Sequence, residues 1–572
     1  MKIRNKIIIL LSAISLVVCI TVLFPQVRQT MMNMAGQILQ REASTYQSWV
    51  RLLLSFAMGG ICFILFFDYC TLTDSGRALV QKAKQEIKAC LSEIDFRSLV
   101  KPVVWMFVVY LLGILTIIRA NFLYRDDLAR AIRGFRGWHD WSRYVSEFSS
   151  IFVHGDTHLT DISPLPQLLA ILILSVSSVL LVYVTGNKKI TTVRLLASIP
   201  LGLSPFFLEC LIFKFDAPYM ALSILVSIVP FLFISRKKAF LFCSIACLLM
   251  MWTTYQAASG VYLMIVLILC FQDWNSRKKS SKEILVFLGQ VALAFGLALL
   301  LFKFFLMKTF NEQESAYVSN AMYPVSTILS GAVHNLKNYA MTINGDLGIV
   351  WKIGILLVLF FFVVKSIRRA AQRIVLSFLA SITVLALSFI LSFGAYSFLI
   401  TPLYAPRAFL GLGVFLSIVC VYVVSDYTKW AKVIVLALNW CFFIFAFSYG
   451  NALADQTRYA EFRIEILLHD LSTLYPNRNR EELSFNFKNV IDYAPSIQNI
   501  AKNYPLIEKL VPRRLGDYPW DDYYCLEYFN FTSYSNTRSH FNDDFDDLPV
   551  VLDSYYHTIK SDGSRVLILL KH

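Results

Sequence analysis

The chain has 572 residues, 57% of them hydrophobic and 16% charged, with a net charge of +15. Soluble proteins carry roughly a quarter charged residues, and here the apolar residues come in runs near the length of about twenty that crosses a bilayer. A soluble globular protein is therefore excluded. Nucleic-acid binding is excluded too, because the positive residues form no single patch.

They punctuate the apolar runs instead, at Lys2, Arg4 and Lys6, at Arg77, Lys82, Lys84 and Lys88, at Lys188 and Lys189, and at Arg236 to Lys238. Further on come Arg277 to Lys279, Lys365, Arg368 and Arg369, then Lys429 and Lys432. Thirteen membrane helices are expected, near 7–24, 51–69, 102–119, 166–185, 192–213, 218–234, 239–257, 259–272, 284–306, 347–364, 374–396, 407–425 and 433–449. With a cytoplasmic start, that count puts every one of these basic clusters on the cytoplasmic side. The first run is long and no small-residue cleavage site follows it, so it reads as a retained helix rather than a signal peptide.

The remaining polar segments then fall outside, which in a bacterium is the periplasm: 25–50, 120–165, the turn at Asp216, 307–346, 397–406 and a tail from 450. Segment 72–100 is cytoplasmic with helical periodicity. In the tail, Phe462, Ile466 and Leu467 fall on one helical face, and "PVVLDSYYHTIKSDGSRVLILL" alternates around an "SDG" turn. A small α/β domain is expected there. The organisation is thus a two-helix extension at 1–100, a transmembrane domain at 101–450 with loop 120–165, and a domain at 451–572. Eleven cysteines give no disulfide or zinc spacing, and only Cys525 lies in the tail. Asp521–Asp522 and Asp543–Asp547 read as solvated surface, not a metal site.

The chemistry concentrates in "YRDDLARAIRGFRGWHDWSR", Tyr124 to Arg143, directly after an apolar run. "LARAIRGFRGW" reads as an interfacial helix with Leu128, Ile132 and Phe135 down and arginines up. The bland role of those arginines is to bind anionic head groups. But Asp126 and Asp127 among Arg130 and Arg143 also suit an enzyme that deprotonates a hydroxyl beside a bound phosphate: a carboxylate is the general base, and arginines hold the phosphate. Trp138 either anchors at the interface or stacks on a sugar.

More polar residues fall on the same side. Glu209 sits in "SPFFLECLIFKFDAPYM" with Lys214 and Asp216, and an acid at that depth is a functional candidate. Its bland alternative is an internal Glu209–Lys214 pair. Arg407, after Pro406, either snorkels or clamps a lipid phosphate. Tyr255 and Gln256 sit near the outer end of their helix.

"YRDDLAR…GWHDWSR", "PFFLECLIFKFDAPYMALS", "TYQAASGVYL" and "APR" resemble, in that order, the GtrII-type bacterial glucosyltransferases, over roughly residues 105–450 and the tail. The resemblance implies a GT-C type fold in the bacterial inner membrane, acting in O-antigen modification of lipopolysaccharide. It implies undecaprenyl phosphate glucose as donor and a sugar of the lipid-linked O-antigen as acceptor. It also implies Asp126 or Asp127 as base, no soluble cofactor, and a flippase and a polyprenyl-phosphate glucosyl synthase acting alongside. Tyr124 falls within the same motif and is grouped with Trp138, Glu209, Lys214, Asp216, Tyr255 and Gln256 as substrate-binding or supporting. Two departures stand out. The aspartate pair follows the third expected helix rather than the first, and Ser142 replaces the usual glycine before Arg143. The competing readings are a flippase for lipid-linked sugars and an O-antigen polymerase. No inverted repeat supports the first, and the second has less need of an aspartate pair.

Overall fold

Residues 73–571 are described by the computed structural model, apart from 309–320, 426–428, 477–481, 516–518, 534–542 and scattered positions between 79 and 94. The expected helices at 7–24 and 51–69 lie outside the described residues. The chain divides into two compact units, Met1–Asp95 and Phe96–His572. In the first, the described positions from 74 to 92 are helical, and the Thr73 hydroxyl accepts from the Gly76 amide at 2.9 Å.

The second unit begins with α1 (Phe96–Ala120), α2 (Asp126–Arg133), α3 (Tyr144–His154) and α4 (Leu165–Thr185). Short helices follow: α5 (Thr192–Ala197), α6 (Pro200–Leu203), α7 (Pro205–Ile212) and α8 (Ala217–Ile228). Next come α9 (Lys237–Trp252), α10 (Val261–Asn275), α11 (Ser281–Leu301), α12 (Ile328–Asp346), α13 (Ile349–Arg368), α14 (Ile374–Ser392), α15 (Leu410–Val424) and α16 (Lys429–Leu474). Among the described residues, eight helices are long and apolar enough to cross a membrane, or nine if a bent pair is one span.

That pair differs from the expected span at 192–213. It breaks between Leu203 and Pro205 and bends by 60°. Proline has no N–H to donate and its ring clashes with the preceding turn, so Ser204 goes extended and a new helix starts at Pro205. The expected helices at 218–234 and 239–257 are also short, Ala217–Phe233 and Lys237–Trp252.

Helix α15 is the hub. Every one of its residues is buried, and α5, α6, α13 and α14 pack around it. The outer helices instead expose large apolar side chains, among them Leu112, Leu293, Leu356, Leu379 and Trp440. An exposed apolar surface of this extent is matched by lipid rather than water. Helix α1 lies along α16, where Gly450 lets them touch: a Cβ there would sit 2.4 Å from the Thr116 hydroxyl and 2.5 Å from its carbonyl carbon.

Polar bonds pin one end of the bundle. Asn275 Nδ2 donates to the Ser366 carbonyl at 2.9 Å, and Ser377 Oγ to Asn275 Oδ1 at 2.8 Å. Lys365 donates to the Tyr422 carbonyl and the Ser425 hydroxyl. The opposite end carries loop 120–165, the turn at Lys214–Asp216, residues 254–256, Pro406–Arg407 and the C-terminal domain.

Helix α16 has 46 residues and runs beyond the bundle. Its buried face there is Ile464, Leu467 and Leu471, while Phe462 is exposed and Ile466 is only partly covered. Of the expected face, only Leu467 is buried. The face packs on a four-stranded sheet of β1 (Ser484–Lys488), β2 (Val550–Asp553), β3 (His557–Ser561) and β4 (Arg565–Leu570), in the order β1-β4-β3-β2. β1 runs parallel to β4 and the other pairs are antiparallel. The expected turn joins β3 to β4, with Asp562 Oδ1 accepting from the Ser564 and Arg565 amides at 3.0 and 2.9 Å. Arg463 ties the helix to the sheet through the Tyr556 and Lys571 carbonyls. Asp544, Asp546 and Asp547 pair with Lys488 and Arg565 on the surface. Shorter helices α17 (Pro495–Ala501), α18 (Ile507–Leu510) and α19 (Pro519–Tyr528) fill the loop between β1 and β2.

Candidate functional site

The expected interfacial helix is shorter than its sequence suggests. α2 stops at Gly134, whose φ of +62° closes the helix with a bond from its amide to the Arg130 carbonyl. Leu128 is buried as expected, but Phe135 is 44% exposed. Arg130 does not point outward. It is buried and ion-paired with Asp216, whose other oxygen accepts from Trp138 Nε1. The guanidinium also lies 4.4 Å over the Trp138 ring. Trp138 is 1% exposed, so its ring fills the interior and is neither an interface anchor nor an open sugar platform. Arg133 does face outward.

The two aspartates have opposite surroundings. Asp126 is exposed, and among the described residues no hydrogen bond holds its carboxylate. Asp127 is fully buried, and its Oδ2 accepts from the amides of Tyr124 (3.2 Å) and Lys214 (3.0 Å). Its Oδ1 has no partner. Burial pushes its carboxyl up to about 8, against the opposing pull of those amides and of Arg130. Asp127 therefore pins the loop to the start of the 213–216 turn.

Glu209 does not pair with Lys214. Its helix ends at Ile212, so Lys214 leaves in another direction and donates to Asn121 Oδ1 (2.6 Å) and Asp161 Oδ2 (2.9 Å). Glu209 is instead the hinge of a second cluster. Its Oε1 accepts from the Tyr124 hydroxyl at 2.9 Å and from Arg407 Nη1 at 2.5 Å, while Oε2 accepts from the Arg407 amide at 2.6 Å. Arg407 is thus a buried ion-pair partner, not a snorkelling anchor.

Arg143 is different. It lies just before α3 with its guanidinium 4.8 Å over the Tyr255 ring, and its Nε is buried without a partner. The Tyr255 hydroxyl is also buried without a partner. Tyr255 lies within electrostatic reach of both Arg143 and Arg407. Gln256 holds the loop from the other side, donating to the Trp141 carbonyl at 3.1 Å. Ten of the twelve expected site residues thus form two knots at this end, Asp127–Arg130–Trp138–Lys214–Asp216 and Tyr124–Glu209–Arg407 with Arg143 and Tyr255, while Asp126 and Gln256 lie on the same loop and at its flank.

Residues not singled out from sequence complete it. Glu147, in the first turn of α3, accepts from the Trp138 amide at 2.9 Å and pairs with Arg136. An acid at a helix start was the available signal for it. Asp161 and Arg514 carried none. A groove of about 760 Å³ lies apart from this cluster, between the membrane helices, and is walled by apolar side chains of α13, α14 and α15.

The family model for glucosyl transferase GtrII matches residues 115–424, more than half of the chain and every residue of both knots. The chain belongs to the GtrII glucosyltransferase family. A protein of Salmonella phage P22, described as an uncharacterized 55.3 kDa protein in the gtrB 5' region, is 25% identical over 419 residues, covering 69% of this chain and 84% of the relative. No solved structure matches. The GtrII match runs from the last turn of α1 to the end of α15, so it takes in the loop and the hub helix and leaves out the tail domain.

Proposed function

We propose that this GtrII chain transfers glucose from undecaprenyl phosphate glucose to a sugar of the lipid-linked O-antigen, on the periplasmic face of the bacterial inner membrane, within a GT-C type architecture. The observation that carries the reading is an unpartnered buried donor, Arg143 Nε, and an unrestrained carboxylate, Asp126, on one loop, with the Tyr255 ring beneath the Arg143 guanidinium and its buried hydroxyl unpartnered. The two buried arginines of the site are already neutralised, Arg130 by Asp216 and Arg407 by Glu209. Arg143 has no acidic partner among the described residues, so it is the cation best placed for a donor phosphate. Arg130 and Arg407 then shape the pocket and set its charge.

The step follows. Asp126 accepts the proton of the acceptor hydroxyl, and that oxygen bonds to the anomeric carbon. The bond from this carbon to the phosphate oxygen breaks, and undecaprenyl phosphate leaves with the electron pair, stabilised by Arg143. Asp127 is fully buried with Oδ2 taken up by the Tyr124 and Lys214 amides, so it holds the loop and leaves the acceptor hydroxyl to Asp126. The apolar groove offers a track for the prenyl chain: its Leu412 and Leu416 lie on the helix that Arg407 leads into. The step as written calls for no soluble cofactor. A flippase and a polyprenyl-phosphate glucosyl synthase would supply the donor, and membrane lipids surround the span region.

The test is reconstitution. Protein in liposomes, given labelled undecaprenyl phosphate glucose and lipid-linked O-antigen, should form labelled polysaccharide. Asp126→Asn should slow this by a factor of roughly a hundred to ten thousand. Label that crosses the bilayer without entering a new glycosidic bond would favour a flippase instead.

A further inference from the structure

The family match ends before the tail, yet the tail touches the loop that carries the aspartates. Arg514 Nη2 donates to the Leu123 carbonyl at 2.6 Å, and its guanidinium lies 4.6 Å over the Phe122 ring. The segment it grips is unusual. Asn121 and Arg125 on either side of it have φ of +48° and +47°, a region that side-chain-bearing residues avoid unless something holds them. Only after this double turn does α2 begin with Asp126. A second contact lies further along α2, where Arg133 pairs with Glu527 of α19 at 2.8 Å and the two helices pack together.

The gripping segment is itself anchored to the bundle. Tyr449 of α16 donates its hydroxyl to the Leu510 carbonyl at 3.1 Å, and Lys509 pairs with Asp346 at 2.5 Å. Leu510, Val511 and Leu515 are buried. Arg514 therefore connects a fixed point to a strained turn.

We infer that the tail is a working part of the transfer site, in which Arg514 is a positioning residue: by holding the Phe122–Leu123 backbone it keeps the turn at Arg125 and so aims Asp126. This rests on Asp126 acting as the base. Arg514 does not touch the substrate. It acts through the loop, as a clamp that spans the junction between the membrane domain and the tail. The Arg133–Glu527 pair is the second jaw.

The experiment uses the full-length protein in detergent and in liposomes, with two readouts. Hydrogen exchange of the amides from Phe122 to Leu128 reads the turn directly, including the Asp127 amide that donates to the Tyr124 carbonyl at 2.9 Å. Transfer kinetics read the aim. Arg514→Gln should speed exchange in this segment and lower kcat by about a hundredfold with little change in donor KM, since misplacing a reacting group by about 1 Å has that effect. Arg514→Lys keeps a donor for the carbonyl and should recover much of the loss. Arg133→Glu should also lower kcat, and adding Glu527→Arg should restore it. Unchanged exchange in Arg514→Gln overturns the clamp whatever happens to transfer, because a loss of kcat alone would mean Arg514 acts elsewhere. Faster exchange with wild-type kcat overturns the link to Asp126. If the wild-type protein makes no glycosidic bond at all, the reading of the activity fails, and the exchange experiment still decides whether the clamp exists.

Discussion

Asp126 and Asp127 are adjacent and chemically identical, and burial alone separates them. The fully buried Asp127 holds its proton up to about pH 8, whereas an unfolded aspartate loses it near 4. The sign follows from linkage: the folded state binds the extra proton, so stability falls as pH rises from about 4 to about 8 and then levels off. Asp127→Asn keeps an oxygen to accept the Tyr124 and Lys214 amides but cannot ionise. Its melting temperature in detergent should therefore lack the part of the wild-type decline between pH 5 and 8 that Asp127 causes, while transfer at pH 7 persists at a level far above that of Asp126→Asn. A variant that declines as steeply as wild type would show that Asp127 does not titrate there. The Glu209–Arg407 pair gives a second prediction. Arg407→Ala strands a buried carboxylate, and breaking such a pair costs about 3–5 kcal/mol, so both melting temperature and transfer should drop. Arg407→Ala with Glu209→Gln should recover most of the stability without the activity, which thermal melts alongside transfer assays would resolve.

At the level of elements, the long apolar helices were legible because a run of apolar residues has few other uses in a chain of this composition. Broken helices were less so. The span at 192–213 looks continuous by hydropathy, and only Pro205 marks the place where its hydrogen-bond ladder fails. The end of α2 was readable in principle from Gly134, but the arginines beyond it suggested a longer amphipathic stripe. The site was legible as a set of residue types and not as a set of partners. Glu209 and Lys214 are five residues apart and looked like a pair, yet Glu209 meets Arg407 and Tyr124, and Lys214 meets Asn121 and Asp161, all brought together only by packing. Gly134 offers an element-scale test. A Cβ there would sit 2.3 Å from the His158 imidazole, in a left-handed conformation. Gly134→Ala should destabilise the loop by more than about 1 kcal/mol, seen as faster proteolysis between Arg133 and Leu159 and reduced transfer.

For the whole molecule, the placement of charge makes a case for orientation. The end pinned by Asn275, Lys365 and Ser425 gathers the short basic loops: Lys188 and Lys189, Arg236 to Lys238, Arg277 to Lys279, and Arg368 and Arg369. Short basic loops stay on the cytoplasmic side. The opposite end is also rich in arginine, but there Arg130, Arg407, Arg133 and Arg136 each meet a carboxylate, so their charge is structural. The site and the tail domain should then face the periplasm. Since α16 carries the chain out of the bundle to the tail, the C-terminus should lie on the same side as Asp126. A phosphatase fused at His572 should be active in whole cells, and one inserted in 277–282 should not. An added cysteine at the exposed Asp126 should be labelled by a membrane-impermeant maleimide in intact spheroplasts, and one at Lys279 only after lysis. The reverse pattern would put the carboxylates and arginines in the cytoplasm, where a lipid-linked donor presented on the outer leaflet could not reach them.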